Sequence, residues 1–132
     1  QNLLKLKKLF LHRCRYLSDI CIPMLCKLVS DERCNVTVLS LDGNKHITDT
    51  GLCNLCKLAL TNKHCKLIKL SLFNCSFTDR CIPKVCETMQ DERCTLNELV
   101  LGNCRFSESG KNVLRELETV EQCKARGLKI AV

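Results

Sequence analysis

The sequence has no tryptophan and a single tyrosine, and aromatic residues make up only 4% of its 132 residues. Because 45% of the residues are still hydrophobic, the core must be built from aliphatic side chains and cysteine. No apolar run approaches the ~20 residues that a membrane-spanning helix needs. We therefore expect a single domain with no membrane contact.

Catalytic motifs are missing as well. The sequence contains no phosphate loop of the form G-x-x-x-x-G-K-[ST], no H-E-x-x-H metal motif and no G-x-S-x-G nucleophile motif. The histidines, His12, His46 and His64, fall at different positions of the repeat described below, so they are not expected to converge. The sequence thus predicts a protein that is not an enzyme and that needs no metal or cofactor.

A leucine-rich frame recurs along the chain, and its third apolar position falls at residues 11, 41, 72, 101 and 130. The full copies are Leu6-x-x-Leu9-x-Leu11-x-x-Cys14, Val36-x-x-Leu39-x-Leu41-x-x-Asn44, Leu67-x-x-Leu70-x-Leu72-x-x-Cys75 and Leu96-x-x-Leu99-x-Leu101-x-x-Cys104, followed by Leu128-x-Ile130. Apolar residues two apart point to one face of a strand. A Ser or Thr followed by an acidic residue then opens a helical stretch.

Each unit of about 30 residues therefore predicts one strand and one helix that must stack on a neighbour to bury an apolar face. The predicted fold is an α/β leucine-rich-repeat solenoid, with a parallel sheet on the concave face and helices on the convex face. The repeats are placed at about 4–33, 34–64, 65–93 and 94–122, with a terminal strand at 123–132. The apolar helix faces are predicted to contain Ile20, Met24, Leu25, Leu28, Leu52, Leu55, Leu58, Ala59, Val113, Leu114 and Leu117.

A slower period indicates two alternating repeat types. The segments CIPMLCKLVSDERC at 21–34 and CIPKVCETMQDERC at 81–94 are near copies, and the same frame position holds Cys21, Gly51, Cys81 and Gly110. The chain resembles the ribonuclease-inhibitor type of leucine-rich repeat and is similar to the C-terminal repeats of NOD-like receptors, the cytosolic innate-immune sensors of inflammasome signalling. The resemblance implies a cytoplasmic protein-binding or ligand-sensing module with a regulatory role, and an upstream nucleotide-binding domain in the parent chain.

The 13 cysteines are an odd number and mostly hold fixed repeat positions. We interpret them as small buried hydrophobes in a reducing compartment. Cys14, Cys75 and Cys104 share with Asn44 the position that lies under the turn after each strand. The alternative is zinc or redox chemistry at Cys53 and Cys56, although zinc ribbons need two such pairs. Cys53 is the thiol expected to be most exposed.

The variable positions of the concave face are where a partner would bind. The candidate binding residues are Lys7, Lys8, Phe10, His12, Arg13, Val38, Asp42, Lys69, Phe73, Glu98, Val100, Arg126 and Lys129. Phe10 and Phe73 are apolar anchors on a polar surface, a pattern typical of binding hot spots.

The net charge of +7 suggests an acidic partner, a nucleic acid or an anionic surface, and it does not by itself choose among them. We expect a protein partner with an acidic or mixed surface. The alternative is a nucleic acid or another polyanion, although binding of single strands would normally use more stacking aromatics. A ribonuclease-inhibitor-like activity is disfavoured, because those inhibitors are acidic proteins that bind basic nucleases and this chain is basic.

The two ends of the sequence differ. The last helix is polar and leads into a final short strand, as in a capped solenoid end. By contrast, Leu3, Leu4, Leu6 and Leu9 form an apolar start with no cap. We therefore expect the chain to be a C-terminal fragment with further repeats upstream.

Overall fold

The computed structural model describes residues 5–132, so the predicted apolar residues Leu3 and Leu4 lie outside the described part. Each leucine-rich frame forms a three-residue strand, and all strands join one parallel sheet in chain order. The strands are β1 (Lys8–Phe10), β2 (Val38–Ser40), β3 (Lys69–Ser71), β4 (Glu98–Val100) and β5 (Lys129–Ala131). Helical segments alternate with the strands along the chain, which confirms the predicted α/β leucine-rich-repeat solenoid.

The helices are short, and several have 3-10 or π-helical extensions. They are α1 (Ile22–Val29), α2 (Asp49–Leu55), α3 (Ile82–Met89), α4 (Glu108–Glu116) and α5 (Glu121–Ala125). 3-10 turns cover Asp19–Cys21, Asp79–Cys81 and Leu117–Thr119, and a π-helical segment covers Cys56–Leu60. The second repeat has eight residues between Cys56 and Cys65 where the first has seven between Cys26 and Cys34. The wider π-helical turn accommodates this extra residue.

The core is a column of aliphatic side chains at the centre of each strand. Leu9, Leu39, Leu70, Leu99 and Ile130 lie in register across the sheet. The side chains of Leu39 and Leu70 are completely buried. Because successive side chains of a strand point to opposite faces, the residues on either side of this column point away from the core.

The frame predicted for the last strand is wrong by two residues. Ile130 pairs with Leu99 rather than holding the position of Leu101, and the backbone N–H of Leu101 donates to the carbonyl of Ala131 at 2.7 Å. The short helix α5 and the turn that follows it take up the additional residues. A shift of two residues leaves each side chain on its predicted face, so Lys129 still points away from the core.

The predicted apolar faces of the helices are partly wrong. Ile20, Met24, Leu58 and Val113 are exposed, with 87%, 71%, 44% and 45% of their surface accessible. In α1 the buried positions are instead Ile22, Leu25, Cys26 and Val29. A 3-10 turn has three residues per turn, so a 3.6-residue period does not continue from Asp19–Cys21 into α1.

The turn after each strand is closed by the predicted Asn or Cys. The Asn44 amide nitrogen donates to the carbonyls of Leu11 and Leu41, each at 2.7 Å, and its oxygen accepts from the N–H of Cys14 at 2.9 Å. Cys75 uses its thiol to donate to the Leu41 carbonyl at 3.4 Å. Asn therefore connects two repeats with three hydrogen bonds, where Cys fills the same space with a weak donor.

An aspartate in each of the first three repeats forms hydrogen bonds to the repeat that follows, and this series of contacts is here called the carboxylate ladder. The carboxylates of Asp19 and Asp49 accept from the backbone N–H groups of Thr48 and Thr78, both at 2.8 Å, and also from their hydroxyls. Asp79 binds the next residue of the series, Ser107, in the same way. The Ser/Thr–acidic pairs therefore link repeats as well as beginning helices.

Two glycines, Gly51 and Gly110, lie against these carboxylates, whereas Cys81 takes the equivalent position beside Asp49 with its side chain in place. A Cβ atom at Gly110 would lie 2.5 Å from a carboxylate oxygen of Asp79, and one at Gly51 would collide with Asp19. Glycine is required at these two positions because the carboxylate of the preceding repeat occupies the space of a side chain.

Candidate binding face

The outward side chains of the five strands form a continuous surface, here called the outer sheet face. Its first column contains Lys8, Val38, Lys69, Glu98 and Lys129, and its second contains Phe10, Ser40, Ser71, Val100 and Ala131. Nine of the thirteen candidate residues lie on it or line the depression described next. The repeat frame places them there because the strands share one register.

A depression of about 290 Å³ lies on this face over β1–β3. Its lining includes six candidates, which are Lys8, Phe10, His12, Val38, Asp42 and Lys69. Ser40 and Ser71 form its buried base, with 4% and 7% of their surface exposed. The repeat frame predicts that both serines face outward, although they are not among the thirteen candidate binding residues.

The polar groups of the depression are held in fixed orientations. His12 Nε2 lies 2.6 Å from Ser40 Oγ. Asp42 Oδ1 accepts from the Ser71 hydroxyl at 2.7 Å and from the N–H of Phe73 at 2.8 Å. Because both serine hydroxyls are engaged, the base of the depression presents an ordered set of donors and acceptors.

Two exposed phenylalanines lie near this polar base, and only Phe10 is part of the wall of the depression. Phe10 has 56% of its surface exposed and its ring centroid lies 5.5 Å from that of His12. Phe73 has 46% exposed, and its ring lies over Gly102, where a Cβ atom would come within 3.1 Å of the ring. Gly102 therefore makes room for the Phe73 ring, a contact that nothing in the local sequence indicates.

The charge of the outer sheet face is mixed. Lys69 forms an ion pair with Glu98 at 3.2 Å between Nζ and Oε2. Lys8 and Lys129 stand two strands away from Lys69 on either side, at the two ends of the same column. Exposed ion pairs are weak, at about 0–1 kcal/mol, so Lys69 and Glu98 can both exchange partners.

Besides Phe73, three candidate residues neither belong to the outer sheet face nor line the depression: Lys7, Arg13 and Arg126. Lys7 precedes β1 and accepts through its carbonyl from the N–H of Thr37 at 2.8 Å. Arg13 occupies a left-handed turn with φ of 49° and packs along Gly43.

Arg126 lies between α5 and β5 rather than on a strand. Its guanidinium donates to the carbonyls of Met89 and Leu96, both at 2.6 Å. The Arg126 side chain packs at the end of the stack of repeats. The prediction that Arg126 lies on the outer sheet face is therefore wrong.

The cysteines are free thiols in the structure, and most are buried. Burial raises the pKa of Cys26 to about 11 and that of Cys56 to about 12. Burial, and then the nearby Asp49 carboxylate, also raise the pKa of Cys53, which is partly buried, as Cys14, Cys21, Cys86 and Cys104 are. A raised pKa disfavours the reactive thiolate, so Cys53 is not an activated thiol. Within residues 5–132 no group of three or more His, Cys, Asp or Glu side chains could hold a metal ion.

No helix between residues 5 and 132 is both long enough and apolar enough to cross a membrane.

The repeated strand–helix unit and the single parallel sheet define a leucine-rich-repeat domain. No protein-family model matches the chain. It is 29% identical to NACHT, LRR and PYD domains-containing protein 9B of Mus musculus over 141 residues, covering 86% of this chain and 14% of that protein. It is 32% identical to NACHT, LRR and PYD domains-containing protein 3 of Bos taurus over 114 residues, covering 86% of this chain and 11% of the relative. The Mus musculus protein of the latter name is 31% identical over 120 residues, covering 89% and 11%.

The chain is therefore a leucine-rich-repeat region related to the NOD-like receptor family. It spans only 11% to 14% of the length of these relatives. The assignment to the ribonuclease-inhibitor type of repeat stays a prediction from the alternating segments.

Proposed function

We propose that the chain is a non-catalytic protein-interaction module whose outer sheet face over β1–β3 binds the partner. The observation that carries this proposal is the depression lined by six of the candidate residues. It combines an oriented polar base with the exposed ring of Phe10 at its edge, and the exposed Phe73 lies beyond it. Protein interfaces concentrate binding energy in such aromatic anchors surrounded by polar groups.

The partner has an acidic or mixed surface. Lys8, Lys69 and Lys129 supply positive charge at alternating strands, while Glu98 interrupts the series on β4. A partner with acidic groups opposite the lysines and a basic group opposite Glu98 matches this order. Such complementarity raises the association rate and selects the register of binding.

The module acts in the cytoplasm as part of a NOD-like receptor, where it senses a ligand or holds the receptor inactive. Two facts support this role: the relatives are NACHT, LRR and PYD domains-containing proteins, and the chain matches only a small share of each. The parent chain then contains an upstream nucleotide-binding domain. Sequencing of the coding region on both sides of these residues tests this part of the proposal directly.

Site-specific photocrosslinking in cells tests the binding face. A photoreactive phenylalanine analogue replaces Phe10 in one variant and Met24 in the control, because Met24 lies on the helix side and is more accessible than Phe10, at 71% against 56%. We expect a discrete crosslinked partner from position 10 and none from position 24. Equal crosslinking from both positions, or crosslinking from position 24 alone, would contradict the assignment of the face.

A nucleic acid is the second candidate partner, favoured by the net charge of +7 and by the lysines of the outer sheet face. Binding of this kind weakens steeply with salt because counterions are released from the phosphates. A titration with single-stranded RNA at two salt concentrations distinguishes the candidates. Lack of binding at low salt removes the nucleic acid and leaves the protein partner.

A further inference from the structure

A basic depression of about 420 Å³ lies on the helix side of the second repeat, away from the outer sheet face. Its wall is formed by the π-helical segment Cys56–Leu60, by the turn that follows it, and by Arg93 from the next repeat. Lys57 and Lys63 contribute the lysine side chains of this wall. The interaction module proposed above does not use this site.

The turn of the depression differs in charge from the same turn in its neighbours. Residues 62–64 read Asn-Lys-His, whereas the equivalent residues 31–33 and 91–93 read Asp-Glu-Arg. Asn62 Oδ1 accepts from the N–H two residues later at 2.8 Å, as Asp31 and Asp91 do in their own turns. The amide therefore preserves the hydrogen bond that shapes the turn while it removes a negative charge.

The lysines of the depression also replace acidic residues of the next repeat. Lys63 holds the position of Glu92, and Lys57 holds the position of Glu87. Lys57 belongs to the π-helical segment that accommodates the extra residue. The first repeat also has a lysine, Lys27, at the position of Lys57, so the change of charge that accompanies the additional residue is at Asn62 and Lys63. π-helical turns are frequent at functional sites.

The local charge balance is positive. Arg93 pairs with Asp91 at 2.7 Å and holds the pKa of that carboxyl at about 2. Within residues 5–132, no acidic side chain lies within ion-pair distance of Lys57 or Lys63. Lys57, Lys63 and Arg93 thus carry three positive charges against one negative charge on Asp91, which leaves a net +2.

The C-terminal end of the π-helical segment disfavours a bound anion, because its carbonyl groups carry partial negative charge. The carbonyl of Ala59 is however occupied, since it accepts from the N–H of Asn62 at 2.9 Å. The Thr61 hydroxyl lines the same wall and is a hydrogen-bond donor. Leu58, with 44% of its surface exposed, adds an apolar side to the depression.

We propose that this basic depression binds a phosphate group, with Lys57 and Lys63 as its main ligands. The rest of the phosphorylated molecule contacts Leu58. The phosphate belongs either to a small soluble molecule or to a lipid headgroup, and both sources present the same oxyanion to the lysines.

Binding of pyrophosphate at low salt, followed through the backbone amide signals of residues 57–64, tests the proposal. The Lys57→Glu/Lys63→Glu variant introduces the residues found at the same positions of the third repeat, so the repeat frame tolerates them. The control, Lys5→Glu/Lys124→Glu, makes the same change of net charge at exposed positions elsewhere. We expect at least tenfold weaker binding for the first variant and less than a twofold change for the control.

Asn62→Asp provides a second test, because it restores the acidic turn of the neighbouring repeats and keeps the turn hydrogen bond. We expect a severalfold loss of affinity with an unchanged melting temperature. No binding of pyrophosphate by the unmodified chain, or an equal loss in the control variant, would overturn the proposal.

Vesicles distinguish the two sources of the phosphate. Binding to vesicles that contain phosphatidylinositol phosphate, but not to vesicles of equal charge made with phosphatidylserine, supports a lipid headgroup. Binding of pyrophosphate without binding to either vesicle supports a soluble phosphorylated ligand.

Discussion

The inward positions of the five strands are nearly uniform in residue type, whereas the outward positions of the same strands vary in charge and size. The inward column consists of four leucines and Ile130, and it is buried at every strand from β2 onward. The outward column next to it changes from Lys8 to Val38 to Lys69 to Glu98, although the backbone register is the same. The solenoid fixes the inward residues through packing, while the outward residues are free to differ in charge and size.

This difference separates stability from recognition within single strands. In β3, Leu70 is wholly buried, whereas the adjacent Lys69 is exposed enough to pair with Glu98. Substitutions on the two faces should therefore have effects of very different size on folding.

The largest effect is expected for Leu70→Ala. Truncation of a buried leucine costs about 2–5 kcal/mol of unfolding free energy, against a total of about 5–15 kcal/mol for a domain. Urea denaturation measures the loss. Ile68→Ala is the matched control because 43% of its surface is exposed, and equal losses in the two variants would contradict the division between the faces.

Asn44→Ala should have the next largest effect. It removes a buried amide that makes three hydrogen bonds to two repeats. Buried polar groups left without partners cost about 1–3 kcal/mol each, so we expect a total loss of about 2–4 kcal/mol in denaturation experiments. Asn44→Cys, the residue of the other repeats at this position, should recover part of the loss. A melting temperature unaffected by Asn44→Ala would show that the turns do not depend on this side chain.

Asp49→Ala removes one step of the carboxylate ladder between repeats. Asp49 accepts two hydrogen bonds from Thr78. The expected loss of unfolding free energy is therefore comparable to that of a removed helix cap, at about 0.5–2 kcal/mol. Thermal unfolding gives the measurement. Glu108→Ala is the control, since Glu108 follows the last Ser of the series and its exposed side chain forms an ion pair with Lys111 of the same helix. A larger loss for the control would be inconsistent with the ladder.

Lys69→Ala should change the stability least, by less than about 0.5 kcal/mol, because its ion pair is solvent-exposed. The same substitution should weaken binding of the crosslinked partner. A loss of stability similar to that of Leu70→Ala would show that the outer sheet face also carries the fold.

The repeat spacing predicted the features that repeat by position. The strands, the inward leucines and the Asn or Cys under each turn follow from the spacing alone. Side chains two residues apart in a strand point to the same face of the sheet. Most of the candidate binding residues were placed correctly for the same reason. The last strand was misplaced because α5 adds residues that no earlier repeat contains.

Features that depend on contacts between repeats were not predictable. Arg126 has the same sequence context as an outward residue, yet its long side chain reaches the carbonyls of Met89 and Leu96. Ile20 and Met24 were expected inside because the helix was assumed to have one continuous period. The packing of Phe73 over Gly102 required knowledge of which residues become neighbours across strands.

The most direct test of the binding face is the affinity of the crosslinked partner for the Phe10→Ser/Phe73→Ser variant. Both side chains are already exposed, so the melting temperature should change little. The account predicts at least tenfold weaker binding, whereas the matched helix-side variant Ile20→Ser/Met24→Ser should bind as the unmodified chain does. Full affinity in the first variant, with loss in the second, would contradict the assignment of the outer sheet face as the site of recognition.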